Sequence, residues 1–225
     1  MSAPTTTWSE AIAPVWRHNV ALGQLLGLCP LLAVTTSLVH GLALGVATLA
    51  VIVVSSTTMS LLRGWLLPIV RIPLCLLILA GLVTCIDLLW QALLYDLHEV
   101  LGLFVPLIVV NSGLLAHAAD VANRRRVPFT FVSALATGLG FLFALMALGA
   151  LREIFGHGTL LAGIEMLGGA SSAWITLDLP FDGMLVAILP PGAFFGMAVL
   201  LALRNRLAAA RAPGPADPAR LDQAQ

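Results

Sequence analysis

Cys29 is the side chain best placed for chemistry, within Leu26-Gly27-Leu28-Cys29-Pro30-Leu31-Leu32-Ala33-Val34. This stretch lies inside a long apolar run. Gly27 is a weak helix former and Pro30 lacks the N–H a helix interior needs, so the run is expected to break there. Backbone freed at membrane depth is tolerated only where protein or a cavity covers it. A soft thiol beside such a break points to a buried cofactor or ion site. The competing role is inert packing, the usual fate of a buried cysteine. Cys75 and Cys85 stand ten residues apart, on different helix faces, and read as core packing. The three cysteines form no CxxC pair, zinc-finger spacing or disulfide framework. Asp87, near Trp90 and Gln91, is an acid inside an apolar run, which marks either an ion path or a wet interface. No Ser–His–Asp order, nucleotide loop or paired-carboxylate motif suggests hydrolysis. The dispersed basic residues do not suggest nucleic-acid binding.

These residues need a membrane scaffold. The chain has 225 residues, 60% hydrophobic and 10% charged, where soluble domains carry roughly 25% charged residues. Mean hydropathy is +1.01. An all-α integral membrane protein follows. A span needs about 20 mostly apolar residues. Six stretches qualify, near 20–39, 41–62, 69–93, 100–118, 128–151 and 184–203. The first two meet at His40-Gly41, and Arg152 to Asp182 is the longest connection. Within it, Leu160 to Trp174 reads as an amphipathic or re-entrant piece. Residues 1–19 lack the apolar core of a cleavable signal peptide, and residues 204–225 read as a disordered tail.

All eleven basic residues are arginines. Six spans place ten of them on one side and leave Arg152 alone on the other. Positively charged loops stay cytoplasmic, so both termini are expected there. A faint repeat relates Leu26 to Thr35 with Leu101 to Asn111. The copies fall in spans one and four, which run in opposite directions. A 3+3 inverted repeat with broken helices one and four is therefore expected, with its site at mid-membrane.

Four motifs occur in order: Leu26-Gly27-Leu28-Cys29-Pro30 with Leu32-Ala33-Val34-Thr35; Phe104-Val105-Pro106-Leu107-Ile108-Val109 with Asn111; Leu151-Arg152-Glu153-Ile154 with Gly156, Gly158 and Thr159; and Leu189-Pro190-Pro191-Gly192-Ala193-Phe194. Together they resemble the E subunits of Rnf electron-transport complexes, which are homologous to the D subunits of sodium-pumping NADH:quinone oxidoreductases. The likeness runs from about Val15 to Arg206. It implies a six-span component of a bacterial inner-membrane translocase, paired with a sister A-type subunit of opposite orientation and accompanied by the B, C, D and G subunits. The pair is expected to share an iron–sulfur cluster, of the 2Fe–2S type, ligated by a cysteine from each of four half-helices. The complex moves electrons between ferredoxin and NAD and couples this to Na+ or H+ movement. Alone, the chain is expected to catalyse nothing.

Cys29 matches the family's first ligand. The second cysteine normally follows the asparagine of span four, but here Asn111 is followed by Ser112. Iron–sulfur clusters favour thiolates. Ser112 either ligates through oxygen, leaves the site to other chains, or reflects a lost cluster. The rival reading is an ion-conducting or structural component with no cluster of its own.

The remaining polar residues have plainer expectations. His40 and His117 read as interfacial, and Arg152-Glu153 as a surface pair or a contact to a neighbouring chain of the complex. Ser55, Ser56, Thr57, Thr58 and Ser60 form a polar stripe suited to close helix packing. Pro190-Pro191-Gly192 is expected to break or kink span six.

Overall fold

The computed structural model describes residues 21–62, 64–65, 67–124, 127–161, 177–178 and 183–211. The chain turns at 21–24 and then forms α1 (Leu28–Val34) and α2 (Leu38–Leu62). A 3-10 turn at Pro68–Val70 leads into α3 (Arg71–Leu93). Next come α4 (Tyr95–Leu101), a 3-10 segment (Gly102–Ile108) and α5 (Ser112–Arg124). The longest helix, α6 (Val127–His157), is followed by β1 (Thr159–Leu160) and β2 (Leu177–Asp178), which pair antiparallel. Helices α7 (Leu185–Ile188) and α8 (Pro190–Arg211) complete the order.

Helices α2 and α6 form the spine. Both are apolar all round, as expected of helices that stay out of water. Glycines let their backbones approach. A Cβ on Gly41 would lie 2.8 Å from the Leu145 carbonyl oxygen, and one on Gly149 2.8 Å from that of Ser37. A Cβ on Gly138 would lie 3.2 Å from Leu49 Cα. Residue numbers rise along one helix as they fall along the other, so the pair is antiparallel.

The core has two parts, and each crosses the midpoint of the chain. Ala21, Leu22 and Leu31 pack with Phe141, Leu145 and Leu148 of α6 and Met197 of α8. Leu97, Leu101, Val105, Ile108 and Leu114 pack with residues of α2 and α3. The first broken segment thus rests on late helices, and the second on early ones. Helix α3 contributes a single stripe, Cys75, Leu79, Val83 and Trp90, while Leu76, Leu77, Leu88 and Leu89 face outward. Exposed leucines of this kind suit a lipid boundary.

By length and composition, α2, α3 and α6 can each cross a membrane. The segments Tyr95–Ile108 and Ser112–Ala118, bent by 50°, make a fourth if they count as one span. The expected six spans are therefore only partly matched among the described residues. Breaks do fall in the first and fourth apolar runs. Several boundaries differ from expectation. His40-Gly41 lies in the first turn of α2, and the chain turns at 35–37 instead. Pro30 is the third residue of α1, where a missing N–H costs nothing, so Gly27 makes the break. Helix α6 runs past residue 151 to His157. The sixth run does break before its prolines, at the extended Leu189 between α7 and α8, and Pro190 and Pro191 open α8 as proline does at a helix start. That helix continues past Arg204 to Arg211, into the expected tail. Residues 1–19 and most of Leu160 to Trp174 lie outside the described residues.

Candidate functional site

The two main breaks meet. Gly27 has φ 73°, a left-handed conformation that glycine adopts without a Cβ penalty. A Cβ there would sit 2.7 Å from Asn111 Nδ2 and 2.8 Å from Asn111 Cγ. Asn111 is 2% exposed. It caps α5: its Oδ1 accepts the Gly113 N–H at 3.0 Å, and its carbonyl accepts the Leu115 N–H at 3.1 Å. Asparagine at that position satisfies donors that the helix start leaves free. Cys29 stands in the first turn of α1 and Ser112 is the first residue of α5. Both are exposed. The structure therefore brings the two expected ligand-bearing segments together and turns Cys29 and Ser112 toward the surface.

Among the described residues, no group of three or more His, Cys, Asp or Glu side chains can hold a metal ion. One exposed thiol and one exposed hydroxyl could supply two ligands to a metal group. Among the described residues they do not make a complete site. Cys75 is buried in the stripe of α3, as expected of packing; Cys85 on the same helix is exposed, unlike a core residue.

Asp87 has a partner that the sequence does not suggest. Its Oδ1 lies 3.3 Å from His98 Nδ1, with both side chains partly exposed. Gly102 makes room for the imidazole, since a Cβ there would lie 2.8 Å from His98 Cε1.

Arg152 and Glu153 overturn the surface expectation. They are 3% and 0% exposed. Arg152 donates from Nε to Ala187 O at 3.2 Å, and from Nη1 to Leu32 O and Thr35 Oγ1, each at 3.2 Å. Its Nη2 donates to Ile188 O, and to Leu189 O at 3.5 Å. Glu153 Oε2 accepts the Leu38 N–H at 2.8 Å and the Ser37 hydroxyl at 3.2 Å. Bonds within the chain take the place of the expected contact to a neighbouring one. The physical reason is that broken helices supply buried carbonyls and N–H groups in place of water. Beside Arg152, a cavity of about 300 Å3 opens between α6, α7 and α8, lined mainly by apolar groups such as Phe155, Val186, Phe195 and Val199.

The hydroxyl stripe behaves as packing. Ser55, Ser56 and Ser60 are buried, and the Thr57 and Thr58 hydroxyls donate back to Val53 O and Val54 O at 2.6 and 2.8 Å. His40 and His117 stand near span ends, as expected, in the first turn of α2 and one residue before the end of Ser112–Ala118, and both are partly buried. Their Nδ1 atoms lie 3.1 Å from Thr36 Oγ1 and 3.4 Å from Thr137 Oγ1.

Three continuous apolar helices of membrane length, packed with shorter helices that are interrupted by breaks, define a multi-pass membrane protein of the broken-helix class. Residues 7–201 match the family described as Rnf-Nqr subunit, membrane protein, and the chain belongs to that family. It is similar to proteins named as the E subunit of an ion-translocating oxidoreductase complex. The one from Thioalkalivibrio sulfidiphilus is 45% identical over 84% of each chain. That from Pseudomonas paraeruginosa is 47% identical over 86% of this chain and 82% of its own. That from Haemophilus ducreyi is 44% identical over 90% of each.

Proposed function

We propose that this chain is the E-type membrane subunit of a bacterial inner-membrane Rnf-type oxidoreductase, and that it shares a mid-membrane iron–sulfur cluster with a sister subunit of opposite orientation. The observation that carries this reading is the Gly27–Asn111 contact, which joins the two breaks while Cys29 and Ser112 remain exposed beside it. Cys29 would supply a thiolate and Ser112 an oxygen ligand. Gly27 and Asn111 hold the two segments against each other. The outward exposure of both ligands leaves a face for the sister subunit to cover and dry. When bound, the cluster supplies one-electron transfer; the protein supplies ligands, dielectric and orientation. Electron passage between ferredoxin and NAD would be coupled to Na+ or H+ movement by the complex. A six-span, 3+3 inverted arrangement with both termini cytoplasmic is supported by the antiparallel α2–α6 pair, the cross-packed broken segments and the arginine distribution.

The test is low-temperature EPR and iron analysis on the chain co-purified anaerobically with its sister subunit. The wild-type pair is expected to contain iron and give an iron–sulfur signal that Cys29→Ala abolishes. Ser112→Cys is expected to increase iron retention. Iron-free wild-type protein in a fully assembled pair would sink the cluster reading.

The Asp87–His98 contact favours a second role for the same chain, in ion passage. Asp87→Asn is expected to lower ion-coupled flux in reconstituted vesicles several-fold while leaving iron content unchanged. Unchanged flux would reassign Asp87 to a wet interface.

A further inference from the structure

We infer that Arg152 and Glu153 are positioning residues for Cys29, holding the short ligand-bearing helix α1 by the end opposite its break. This rests on the reading of Cys29 as a cluster ligand. Helix α1 has seven residues and no side-chain cap at Gly27. Helices that short do not hold themselves in place, so tertiary anchors must fix it. Its C-terminal anchor is Arg152, which binds Leu32 O and Thr35 Oγ1, each at 3.2 Å. Leu32 is one helical turn from Cys29, so a shift at the anchor is transmitted directly to the thiol. The same guanidinium binds the carbonyls of Ala187, Ile188 and Leu189 at the break between α7 and α8. One side chain therefore ties α1 to a second break. Glu153 fixes the chain just beyond α1 through Ser37 and the Leu38 N–H.

The charges match the helix ends they serve. Arg152 meets carbonyl ends and Glu153 an N–H end, each the favourable partner for the local dipole. A guanidinium suits this task because its planar fork reaches several acceptors at once, whereas an ammonium is a compact point donor. Arg204 adds a tether on the other side of the break, donating from Nη1 to Leu22 O at 2.8 Å.

The experiment compares Arg152→Gln, Arg152→Lys, Thr35→Val and Cys29→Ser in the intact complex, reading subunit content, iron, EPR g-values and midpoint potential. Arg152→Gln is expected to retain iron but show broadened g-values and a shifted potential. Arg152→Lys is expected to recover part of the wild-type signature. Thr35→Val, which removes the acceptor at the C-cap of α1 together with its own bond to Leu31 O and keeps the arginine, is expected to shift the signal in the same direction by less. It decides the matter if Arg152→Gln does not assemble. Wild-type spectra and potentials in Thr35→Val, and in any Arg152→Gln complex that assembles, alongside loss of the signal in Cys29→Ser, overturn the positioning role and leave the ligand reading intact. A signal that survives Cys29→Ser overturns the ligand reading, and the positioning role with it.

Discussion

Gly27→Ala is expected to destabilise the protein by about 2–5 kcal/mol, combining the left-handed backbone cost with an overpacked contact. The backbone at Gly27 has φ 73°, where a Cβ meets its own carbonyl. The new methyl also enters the Asn111 side chain, with Nδ2 at 2.7 Å. Asn111 cannot simply rotate away, because its Oδ1 caps the Gly113 N–H. Against a total stability of about 5–15 kcal/mol for a typical domain, this is a large loss. It should appear as a lower thermal midpoint in detergent and a smaller folded fraction. Gly81→Ala is the control. Nothing lies within 4 Å of a Cβ there, so the change should be neutral or stabilise by up to about 1 kcal/mol. Adding Asn111→Gly to Gly27→Ala should recover the steric part, since glycine caps a helix nearly as well as asparagine. Strictly additive losses in the double variant would mean that the two breaks do not press on each other.

Some of this architecture can be read directly from composition and local pattern. Apolar runs of membrane length need no tertiary information, and neither does a glycine that interrupts one. The breaks near Gly27 and Asn111 are accordingly legible in the sequence. The turn at 35–37 is not, because Thr35, Thr36 and Ser37 are compatible with helix and their determinant lies far away. Glu153 binds Ser37 across 116 residues of sequence and caps the start of α2. Arg152 eludes local pattern for a related reason. Hydropathy treats an arginine as a group that needs water, whereas here it finds carbonyls released by two breaks. The link from Asp87 to His98 is hidden in the same way, since only the fold of α3 onto α4 brings them within 3.3 Å. For the candidate site, the two interrupted segments are legible and their contact is not. Cys29 and Ser112 can be matched to a motif, but their shared exposure depends on how Gly27 seats against Asn111.

Gly149→Val should be more damaging still, because the group it strikes is backbone. A Cβ at Gly149 would lie 2.8 Å from Ser37 O, 3.1 Å from Leu38 Cα and 3.2 Å from Ser37 C. These atoms belong to the end of the turn that separates α1 from α2 and to the first residue of α2. They are already fixed by Glu153 through Leu38 N and the Ser37 hydroxyl. A side chain could find another rotamer, but this turn has no independent freedom to withdraw. The α2–α6 seam must then open along its length, since small residues at a membrane helix interface are what permit close backbone packing. Gly41→Val should act alike from the other helix, where a Cβ would meet Leu145 O at 2.8 Å. Overpacking of this kind costs typically about 1–3 kcal/mol when neighbours can relax, and more when they cannot. Both variants are expected to lose folded protein in detergent at levels where Gly81→Ala does not. Gly149→Val should additionally disturb Cys29, because Ser37 lies two residues beyond Thr35, an anchor of α1. Gly41→Val presses on Leu145 O of α6, one helical turn from Ser37, whose carbonyl accepts the Gly41 N–H at 3.1 Å, and should disturb the thiol less in whatever fraction folds. Measuring Cys29 alkylation in the folded fraction of each variant separates the two effects: wild-type rates in both would show that the seam and the ligand-bearing helix are mechanically independent.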